Sequence, residues 1–532
     1  MLQKNPLAPP LVALNAISAP AMTSITDRER FSDWYWTRKD NLIEMRVWWR
    51  AATARHILHL LPGESILELG CGSGTLTRAL EGVSRGECPI TAATFVPEND
   101  LAWLSKSLHS TEGIRLSGFP GELGGRQFDY VIASNVLDHA CAAPLLTEVQ
   151  KLIKPGGRLL FFESNPWNPV FQLHRRLGRV LPFLRRGDER VLHNRVQLYE
   201  LLSELGFVSI ATTCYDFLYP PVPRWSLPVT RSLSLVMENT PLIKLMAGTI
   251  LLHAQKPPRG LPRPPVRMTE HHALHGGISI VVPCYNEEMN VGPLVEGLLK
   301  HYDEYIHEII LVDDNSKDRS REIMRELAEY EPRVRPLFRE PPNGVGRAIS
   351  EGLMAATGRY VLTMDCDFMH ILPELRDMFD EAAAGADVVL GSRFSRSSVL
   401  INYPLQKIVC NRSFHLLLNL IFRRKMRDVT NNLKLLRREV VESLDLESAW
   451  FAANAETGLK PILMGFDVRP VAISWINRTP EMGTSSFSLI KNGVGYARIL
   501  ASLAWRSWFG ARLLPRRPET QAEAKPSGTG AL

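Results

Sequence analysis

Residues 359–370 read RYVLTMDCDFMH, an apolar strand that ends in two carboxylates. Asp365 and Asp367 are two positions apart, and side chains at that spacing lie on the same side of an extended chain. Paired carboxylates can hold a divalent cation against a diphosphate. Two acids at this spacing are common, so the interpretation depends on the segments around them.

Three further segments of the same half place polar residues at the end of an apolar run: GISIVVPCYNEEMNV (277–291), EIILVDDNSKDRS (308–320) and DVVLGSRF (387–394). Helical patterns separate them, which is typical of parallel strands joined by helices. Strand ends that carry Asp, Asn and Glu are where a doubly wound sheet binds its ligand. The C-terminal half is therefore predicted to be an α/β domain with a ligand site at its strand ends.

A second α/β pattern occupies the N-terminal half. The segment SILELGCGSGTLTRAL (65–80) contains an apolar strand, a glycine turn and the start of a helix. Glycines in such a turn let the backbone approach a ligand at the N-terminus of a helix. Several classes of nucleotide site share this turn, so it is a weak signal alone. The fold class predicted for the whole chain is α/β, with two doubly wound domains.

Composition sets the domain boundaries within the 532 residues. Residues 257–276 are rich in proline, glycine and charge, which predicts a linker. Residues 515–532 are polar and rich in Pro, Gly and Ala, which predicts a disordered tail. The two domains are therefore predicted at 30–256 and 277–514.

The overall balance of 45% hydrophobic and 22% charged residues is that of a globular protein. A net charge of +6 without a dense basic stripe argues against a nucleic-acid partner. Seven dispersed cysteines with no C-x-x-C pair indicate reduced thiols and a cytoplasmic location. No run approaches the roughly 18 apolar residues of a membrane span, so neither a span nor secretion is expected. The oligomeric state is left open.

The C-terminal half resembles glycosyltransferase family 2, which has the GT-A fold, and within it the polyprenyl-phosphate (dolichol-phosphate) mannose or glucose synthases. The residues that carry the resemblance, over about 277–490, are V-P-C-Y-N-E, V-D-D-N-S, N-G-V-G-R-A, D-C-D-F-M-H, G-S-R-F, N-R-S-F-H, D-V-T-N-N-L-K-L and N-R-T-P-E-M-G-T-S-S-F. The resemblance implies inverting transfer of a sugar from a nucleotide sugar to a polyprenyl phosphate. It also implies Mg²⁺ or Mn²⁺ as the metal.

The same resemblance implies roles for individual residues. Asp365 approaches the sugar and diphosphate, and Asp367 is the metal ligand. Arg393 and Arg478 bind phosphate groups, to which a planar guanidinium is matched, and Arg412 faces the acceptor phosphate. The residues expected to contact the nucleotide sugar are Pro283, Tyr285, Glu287, Val312, Asp314, Asp365, Cys366, Arg393 and Arg478.

Two departures from the family pattern affect affinity and donor choice more than the reaction class. Met369 stands where the family often has a metal ligand, and a thioether binds Mg²⁺ poorly. Residues 483–486 read GTSS and lack the family's lysine. The alternative function is transfer to a sugar hydroxyl, which needs a general base; Glu456 lies where such enzymes place one. The catalytic candidates are Asp365, Asp367, Arg393 and Glu456.

The N-terminal half resembles class I S-adenosylmethionine-dependent methyltransferases over about residues 45–255, which have a Rossmann-like fold. The motifs are E-x-G-C-G-S-G, FDYVIASNVLDHA (128–140), LIKPGGRLLFFES (152–164) and LLSELGFVSI (201–210). The resemblance implies S-adenosylmethionine as cofactor, and its expected contacts are Glu68, Gly70, Cys71, Gly72, Gly74, Thr94 and Asn135.

Thr94 departs from that family's pattern, because an acidic residue usually binds the ribose hydroxyls there. Threonine cannot act as a bidentate carboxylate. Two readings stay open. Either this half methylates a glycan or lipid intermediate of the same pathway, or it is a non-catalytic scaffold.

Two apolar segments predict a peripheral protein on the inner face of the cytoplasmic membrane. Residues 416–422 read LLLNLIF and run into Arg423, Arg424 and Lys425. Such a segment can rest on a bilayer with its cations at headgroup level. A second helical stripe with interfacial tryptophans consists of Phe487, Ile490, Val494, Ala497, Ala501, Trp505 and Trp508. The alternative is that both segments pack on the protein's own core.

Overall fold

The computed structural model describes residues 19–99, 101, 107–117, 123, 125–139, 141–173, 192–218, 222–258, 268, 270–368, 372–395, 398–401, 403–424, 426–476 and 489–508. The chain divides into two compact units, unit 1 (Met1–Pro264) and unit 2 (Pro265–Leu532). The point of division lies inside the predicted linker, 257–276. The predicted tail, 515–532, lies outside the described residues.

The described part of unit 1 begins with two helices and then alternates strands with helices. Its described helices are α1 (Ala19–Trp36), α2 (Asn41–Leu58), α3 (Thr75–Ser84), α4 (Ala142–Leu152), α5 (Arg195–Glu204) and α6 (Leu227–Glu238). Its described strands are β1 (Ile66–Leu69), β2 (Ile90–Thr94), β3 (Thr111–Arg115), β4 (Phe128–Ser134), β5 (Ile153–Ser164), β6 (Val208–Tyr215) and β7 (Thr249–Gln255).

These strands form one sheet in the order β3-β2-β1-β4-β5-β7-β6. The first five are parallel, and β7 runs antiparallel to both β5 and β6. The strand order reverses between β1 and β4, which makes the crevice beyond their carboxyl ends the expected ligand site. The 70–74 glycine turn follows β1 and Asn135 follows β4, so the predicted doubly wound fold is confirmed.

Unit 2 has the same alternation with longer helices near its end. Its described helices are α7 (Val291–Tyr302), α8 (Ser320–Tyr330), α9 (Val345–Ala355), α10 (Leu372–Ala383), α11 (Leu405–Phe422), α12 (Arg438–Ser443), α13 (Ala453–Met464) and α14 (Leu489–Trp508). Its described strands are β8 (Ile278–Cys284), β9 (Ile306–Asp313), β10 (Val334–Phe338), β11 (Tyr360–Thr363), β12 (Val388–Ser392), β13 (Leu400–Ile401), β14 (Lys434–Arg437), β15 (Val468–Ala472) and β16 (Trp475–Ile476).

The main sheet of unit 2 has the order β10-β9-β8-β11-β14-β12-β15, and β13 pairs with β16 separately. The four predicted strands are β8, β9, β11 and β12. The sequence prediction missed β14, which lies antiparallel between β11 and β12. The strand order reverses between β8 and β11, so the two carboxylates after β11 stand at the switch point beside the end of β8.

The two apolar segments singled out in the sequence fall on α11 and α14. Across the described ranges, no helix combines the length and the apolar character needed to cross a bilayer. Phe487 and Lys425 of the two segments lie outside the described residues.

Candidate functional site

A cavity of about 1380 Å³ lies within unit 2 and reaches the carboxyl ends of β8 and β11. Most of the residues predicted to bind the nucleotide sugar line it. They are Pro283, Tyr285, Glu287, Asp314, Asp365, Cys366 and Arg393, and the predicted metal ligand Asp367 lines the cavity as well. Segments more than 100 residues apart in the chain therefore meet at one place.

The segment just before β14 helps to position Asp365. Asn432, just before β14, donates from its side-chain amide to Oδ1 of Asp365 at 2.7 Å. Thr363, at the end of β11, donates its hydroxyl to the Asn432 carbonyl at 2.5 Å. Asp365 is therefore held beside Asp367 at the strand end. Carboxylate oxygens are the donors that Mg²⁺ and Mn²⁺ prefer, so the residues fit the implied metal.

Cys366 lies between the two acids and contacts a second thiol. Its Sγ is 3.1 Å from Sγ of Cys284, the last residue of β8. The neighbouring thiol and burial raise the pKa of Cys366 well above its usual value. The Cys366 thiol is therefore a neutral group in the wall of the site.

Asp314, which lines the cavity, connects two sequence motifs. Its carboxylate accepts the Gly344 backbone N–H at 2.7 Å and a hydrogen bond from Arg339. Burial raises the pKa of Asp314 above its usual value. A Cβ at Gly346 would lie 2.2 Å from the Ser448 carbonyl oxygen, so the N-G-V-G segment needs its glycine there. The V-D-D and N-G-V-G motifs thus form one structure.

Arg393 lines the cavity, and three side-chain hydrogen bonds hold its guanidinium. Its Nε and Nη2 donate to the two carboxylate oxygens of Asp428 at 2.8 and 2.7 Å, and Nη1 donates to the Tyr403 hydroxyl at 3.0 Å. Burial alone would raise the pKa of Asp428, but the Arg393 charge outweighs it and lowers that pKa to about 2. The ion pair is therefore maintained at neutral pH.

Asp428 is a functional residue that the sequence analysis missed. It opens the D-V-T-N-N-L-K-L motif, yet nothing in the motif assigns it a partner. Asn411 of α11 also donates to Asp428, at 3.1 Å. The His415 imidazole accepts the Val429 N–H at 2.9 Å and bonds the Asn411 carbonyl at 2.8 Å. Helix α11 is therefore fixed to the turn that positions Arg393.

Helices α11 and α14 form the opposite, apolar part of the cavity wall. The large side chains there are Phe414, Leu417 and Ile421 from α11, and Tyr496, Leu500, Trp505 and Trp508 from α14. The described lining residues include two cationic side chains, Arg393 and Lys407, and Lys407 lies near the start of α11. One cavity thus combines an acidic end, two cations and an apolar wall.

Three predicted site residues are placed elsewhere. Val312 is fully buried in the core between β8 and α9, because the strand turns its side chain away from the cavity. Arg412 is not among the cavity-lining residues, and its guanidinium lies 5.0 Å from the Phe394 ring centroid. Glu456 is the third of these residues. Arg478, Met369 and residues 483–486 lie outside the described residues.

Glu456 is fully buried and does not line the cavity. Its carboxylate accepts the backbone N–H groups of Glu447 and Ser448 at 2.9 and 2.7 Å, and it pairs with Lys460 at 2.7 Å. These contacts are structural. Glu456 is placed to hold the 447–450 loop, and it is not placed to act as the general base of the alternative function.

Helix α1 occupies the glycine turn of unit 1. The Gly72 N–H donates to Oε1 of Glu29 at 2.8 Å. The Thr94 hydroxyl donates to the same oxygen at 2.5 Å, and the Phe95 N–H donates to Oε2 at 2.7 Å. Glu29 has 0% exposure, and burial raises its pKa. Since α1 begins at Ala19, the predicted domain start at residue 30 left Glu29 out.

Asp33 fills the space beside the turn. Its carboxylate accepts both the N–H and the hydroxyl of Ser73 at 2.8 Å. A Cβ at Gly72 would lie 2.5 Å from Oδ1 of Asp33. The Asp33 side chain therefore occupies the space that the missing side chain of Gly72 leaves open. With α1 in this position, Glu29 and Asp33 take the hydrogen-bond donors of the glycine turn, where the resemblance places S-adenosylmethionine.

The other predicted cofactor contacts surround this turn. Glu68 is buried, and burial raises its pKa to about 8. Cys71 packs in a small apolar cluster. Gly70, Gly72 and Gly74 all have positive φ, the left-handed region in which glycine is favoured. The Asn135 carbonyl accepts from Nε of Arg28 on α1 at 3.0 Å.

Two family models match this chain. Glycosyl transferase family 2 matches residues 279–445, and a methyltransferase domain matches residues 42–212. The first lies within unit 2 and the second within unit 1. Both matches agree with the resemblances found in the sequence.

The curated proteins similar to part of this chain include three sugar synthases or transferases. Polyprenol monophosphomannose synthase of Mycolicibacterium smegmatis is 31% identical over 216 residues, covering 39% of this chain and 80% of that protein. Dolichol-phosphate mannosyltransferase of Pyrococcus furiosus is 27% identical, covering 34% and 52%. Undecaprenyl-phosphate 4-deoxy-4-formamido-L-arabinose transferase of Pectobacterium carotovorum is 31% identical, covering 40% and 63%. The chain therefore spans most of the first relative and a little over half of the other two.

Proposed function

This chain belongs to glycosyltransferase family 2, and from that premise we propose that unit 2 transfers a sugar from a nucleotide sugar to the phosphate of a polyprenyl phosphate. The observation that carries the proposal is the make-up of the cavity, acidic at the ends of β8 and β11 and apolar along α11 and α14. The first surface suits a metal-bound diphosphate, and the second suits a hydrocarbon chain. The names of the three relatives, all of which act on lipid phosphates, support the same acceptor.

In this reaction an oxygen of the acceptor phosphate attacks the anomeric carbon. The bond from that carbon to the donor's diphosphate breaks, nucleoside diphosphate leaves, and the anomeric centre is inverted. The acceptor phosphate is already ionised near neutral pH, so no protein base is needed. Catalysis then consists mainly of positioning and of charge stabilisation.

The side chains of the cavity have separate tasks in this mechanism. Asp365, held by Asn432, faces the sugar and diphosphate, and Asp367 would hold Mg²⁺ or Mn²⁺. When bound, such an ion neutralises charge on the leaving diphosphate. Arg393, fixed by Asp428, presents its remaining N–H groups to phosphate oxygens. The structural contacts of Glu456 give no support to the alternative, transfer to a sugar hydroxyl.

The function is tested by mass spectrometry of the products formed from a panel of nucleotide sugars and polyprenyl phosphates. We expect one nucleotide sugar to yield a polyprenyl-phosphate sugar, together with free nucleoside diphosphate. Transfer to free oligosaccharides but to no lipid phosphate would contradict the proposal.

We propose that Lys407, which lines the cavity from the start of α11, binds the acceptor phosphate. Lys407→Met is expected to raise the KM for polyprenyl phosphate about tenfold or more, since a hydrogen bond to a charged group contributes roughly 1.5–3 kcal/mol. The dissociation constant of the nucleotide sugar, measured by calorimetry, should stay the same. Lys300→Met, which changes an exposed lysine on α7, is the matched control. An unchanged KM for the lipid would remove Lys407 from this role.

We also propose that the exposed apolar face of α11 and α14 rests on an anionic membrane surface. Leu416 and Leu420 are 63% and 67% exposed, and Trp505 is 64% exposed. The Trp508 indole N–H donates to the Ile421 carbonyl at 3.4 Å, which joins the two helices. Arg423 and Arg424 follow α11 and are exposed, so the apolar face has cations beside it. This arrangement suits an anionic lipid headgroup layer better than a neutral surface.

Replacing both Leu416 and Leu420 with Gln is expected to weaken binding to anionic liposomes at least tenfold. Burying a leucine side chain contributes roughly 1.5–3 kcal/mol, and both side chains are exposed in the free protein. Flotation at low salt measures the bound fraction. Val229→Gln/Leu233→Gln alters a similarly exposed pair on α6 of unit 1 and should float like the wild type. Equal flotation of all three proteins would exclude this face as the contact.

Unit 1 contains a methyltransferase domain, and we propose S-adenosylmethionine as the ligand of its crevice. The support is the order of the sequence motifs and the strand reversal between β1 and β4. The proposed substrate is a glycan or lipid-linked intermediate of the same pathway. With α1 seated as described, binding requires that Glu29 and Asp33 leave the glycine turn.

A further inference from the structure

Three side chains of α1 bind groups at the strand ends of unit 1. Arg28 donates to the Asn135 carbonyl after β4 and to Glu163 of β5, at 3.0 and 3.1 Å. Glu29 accepts hydrogen bonds at the glycine turn and at the end of β2, and Asp33 accepts two more from the turn. The helix therefore spans the whole crevice at which the strand order reverses.

The Arg28–Glu163 pair anchors the helix. Both side chains are almost completely buried, with 3% and 4% exposure. Separating a buried ion pair is strongly destabilising, because each charge would lose its partner in a poorly solvated place. This pair therefore anchors α1 to β5.

The two carboxylates of α1 use the donors that an anionic ligand group would need. Backbone N–H groups at the N-terminus of a helix bind carboxylates, and α3 begins directly after this turn. S-adenosylmethionine carries a carboxylate of its own. An incoming carboxylate would find the Gly72 and Ser73 donors taken and would be repelled by Glu29 and Asp33.

We propose that α1 is a built-in occupant of the cofactor crevice, and that Glu29 and Asp33 together keep S-adenosylmethionine out of unit 1. This inference rests on the ligand proposed above for that crevice. It makes unit 1 a methyltransferase domain that is closed by its own N-terminal helix. Arg28 holds the helix in place, while the two acids take the positions of ligand groups.

The test compares the full-length wild type with Glu29→Ala/Asp33→Ala, which empties the crevice while Arg28 still anchors α1. Calorimetry with S-adenosylmethionine and with S-adenosylhomocysteine should show no binding to the wild type at about 1 mM. The variant should bind S-adenosylmethionine at least tenfold more tightly than the wild type does. Hydrogen exchange at the Gly72 and Ser73 amides should be slow in the wild type and faster in the variant. Asp27→Ala, on the exposed side of α1, should change neither measurement.

Each other outcome overturns the inference in a distinguishable way. If the wild type binds S-adenosylmethionine as tightly as the variant does, the proposed ligand stands, but Glu29 and Asp33 do not exclude it. Tight binding by the wild type that the variant loses makes Glu29 a cofactor ligand, in place of the acid that β2 lacks. No binding by either protein, with exchange at Gly72 accelerated, removes the proposed ligand as well. If the double variant does not fold, Asp33→Ala alone is compared in the same way.

Discussion

Replacing Asp367 with Asn is expected to reduce glycosyl transfer by roughly two to three orders of magnitude without unfolding the protein. The side chain lines the cavity beyond β11, next to Asp365, and asparagine keeps its shape while removing its charge. Loss of one group that stabilises developing charge costs about 10²–10³ in rate. Initial rates with Mg²⁺ and Mn²⁺, at saturating nucleotide sugar and polyprenyl phosphate, measure the effect.

The same variant should lose the increase in melting temperature that Mn²⁺ with nucleoside diphosphate gives the wild type, because ligand binding stabilises the folded state. Asp467→Asn, which removes a carboxylate on the surface, is the control and should retain both activity and the shift. If Asp367→Asn turns over at the wild-type rate, the assignment of Asp367 as a metal ligand is contradicted.

Asp428→Asn is expected to reduce stability and activity together. It breaks a buried pair with Arg393, and removing one partner of such a pair costs roughly 3–5 kcal/mol. The Arg393 guanidinium also loses the contacts that fix it in the cavity, so the maximal rate should fall even where the variant is fully folded. Urea unfolding at pH 7 gives the free energy of unfolding, and rates at low temperature give the activity.

The pH dependence gives a separate check on Asp428. Its folded pKa is lowered to about 2, below the roughly 3.9 of an unfolded aspartate. Its contribution to stability is therefore complete above about pH 4 and is lost as the pH falls toward 2. The variant should lack this part of the acid transition. Asp303→Asn breaks a partly exposed pair with Arg333 and should cost only about 1 kcal/mol or less. Equal effects of the two substitutions would contradict a special role for Asp428.

Local patterns were enough to predict the strands that carry the site. The segments 277–291, 308–320 and 359–370 each join a buried strand to polar residues, and all three reach the cavity. Parallel strands bring their carboxyl ends to one edge of a sheet, so the residues that follow them meet without further information. For the same reason the glycine turn after β1 of unit 1 lies beside Asn135, because β1 and β4 are adjacent parallel strands.

Residues that depend on distant partners could not be predicted in this way. Asp428 is 35 positions from Arg393, and Glu29 is 65 positions from Thr94. Motif positions suggested site roles for Val312, Arg412 and Glu456. In the structure, Val312 faces the core, Arg412 lies over an aromatic ring, and Glu456 bonds a structural loop. The direction of a side chain depends on what packs against it, and a motif does not record that.

The sequence by itself determined the two α/β units, the strand ends that form each site and the acidic character of the transfer cavity. These features follow from hydrophobic periodicity and from residues adjacent in the chain, which act before any long-range contact forms. Only the tertiary structure decided that Asp428 fixes Arg393, that α11 and α14 complete the cavity and that α1 occupies the crevice of unit 1. Each of those contacts joins elements far apart in sequence, and buried polar groups choose their partners only when packing brings them together.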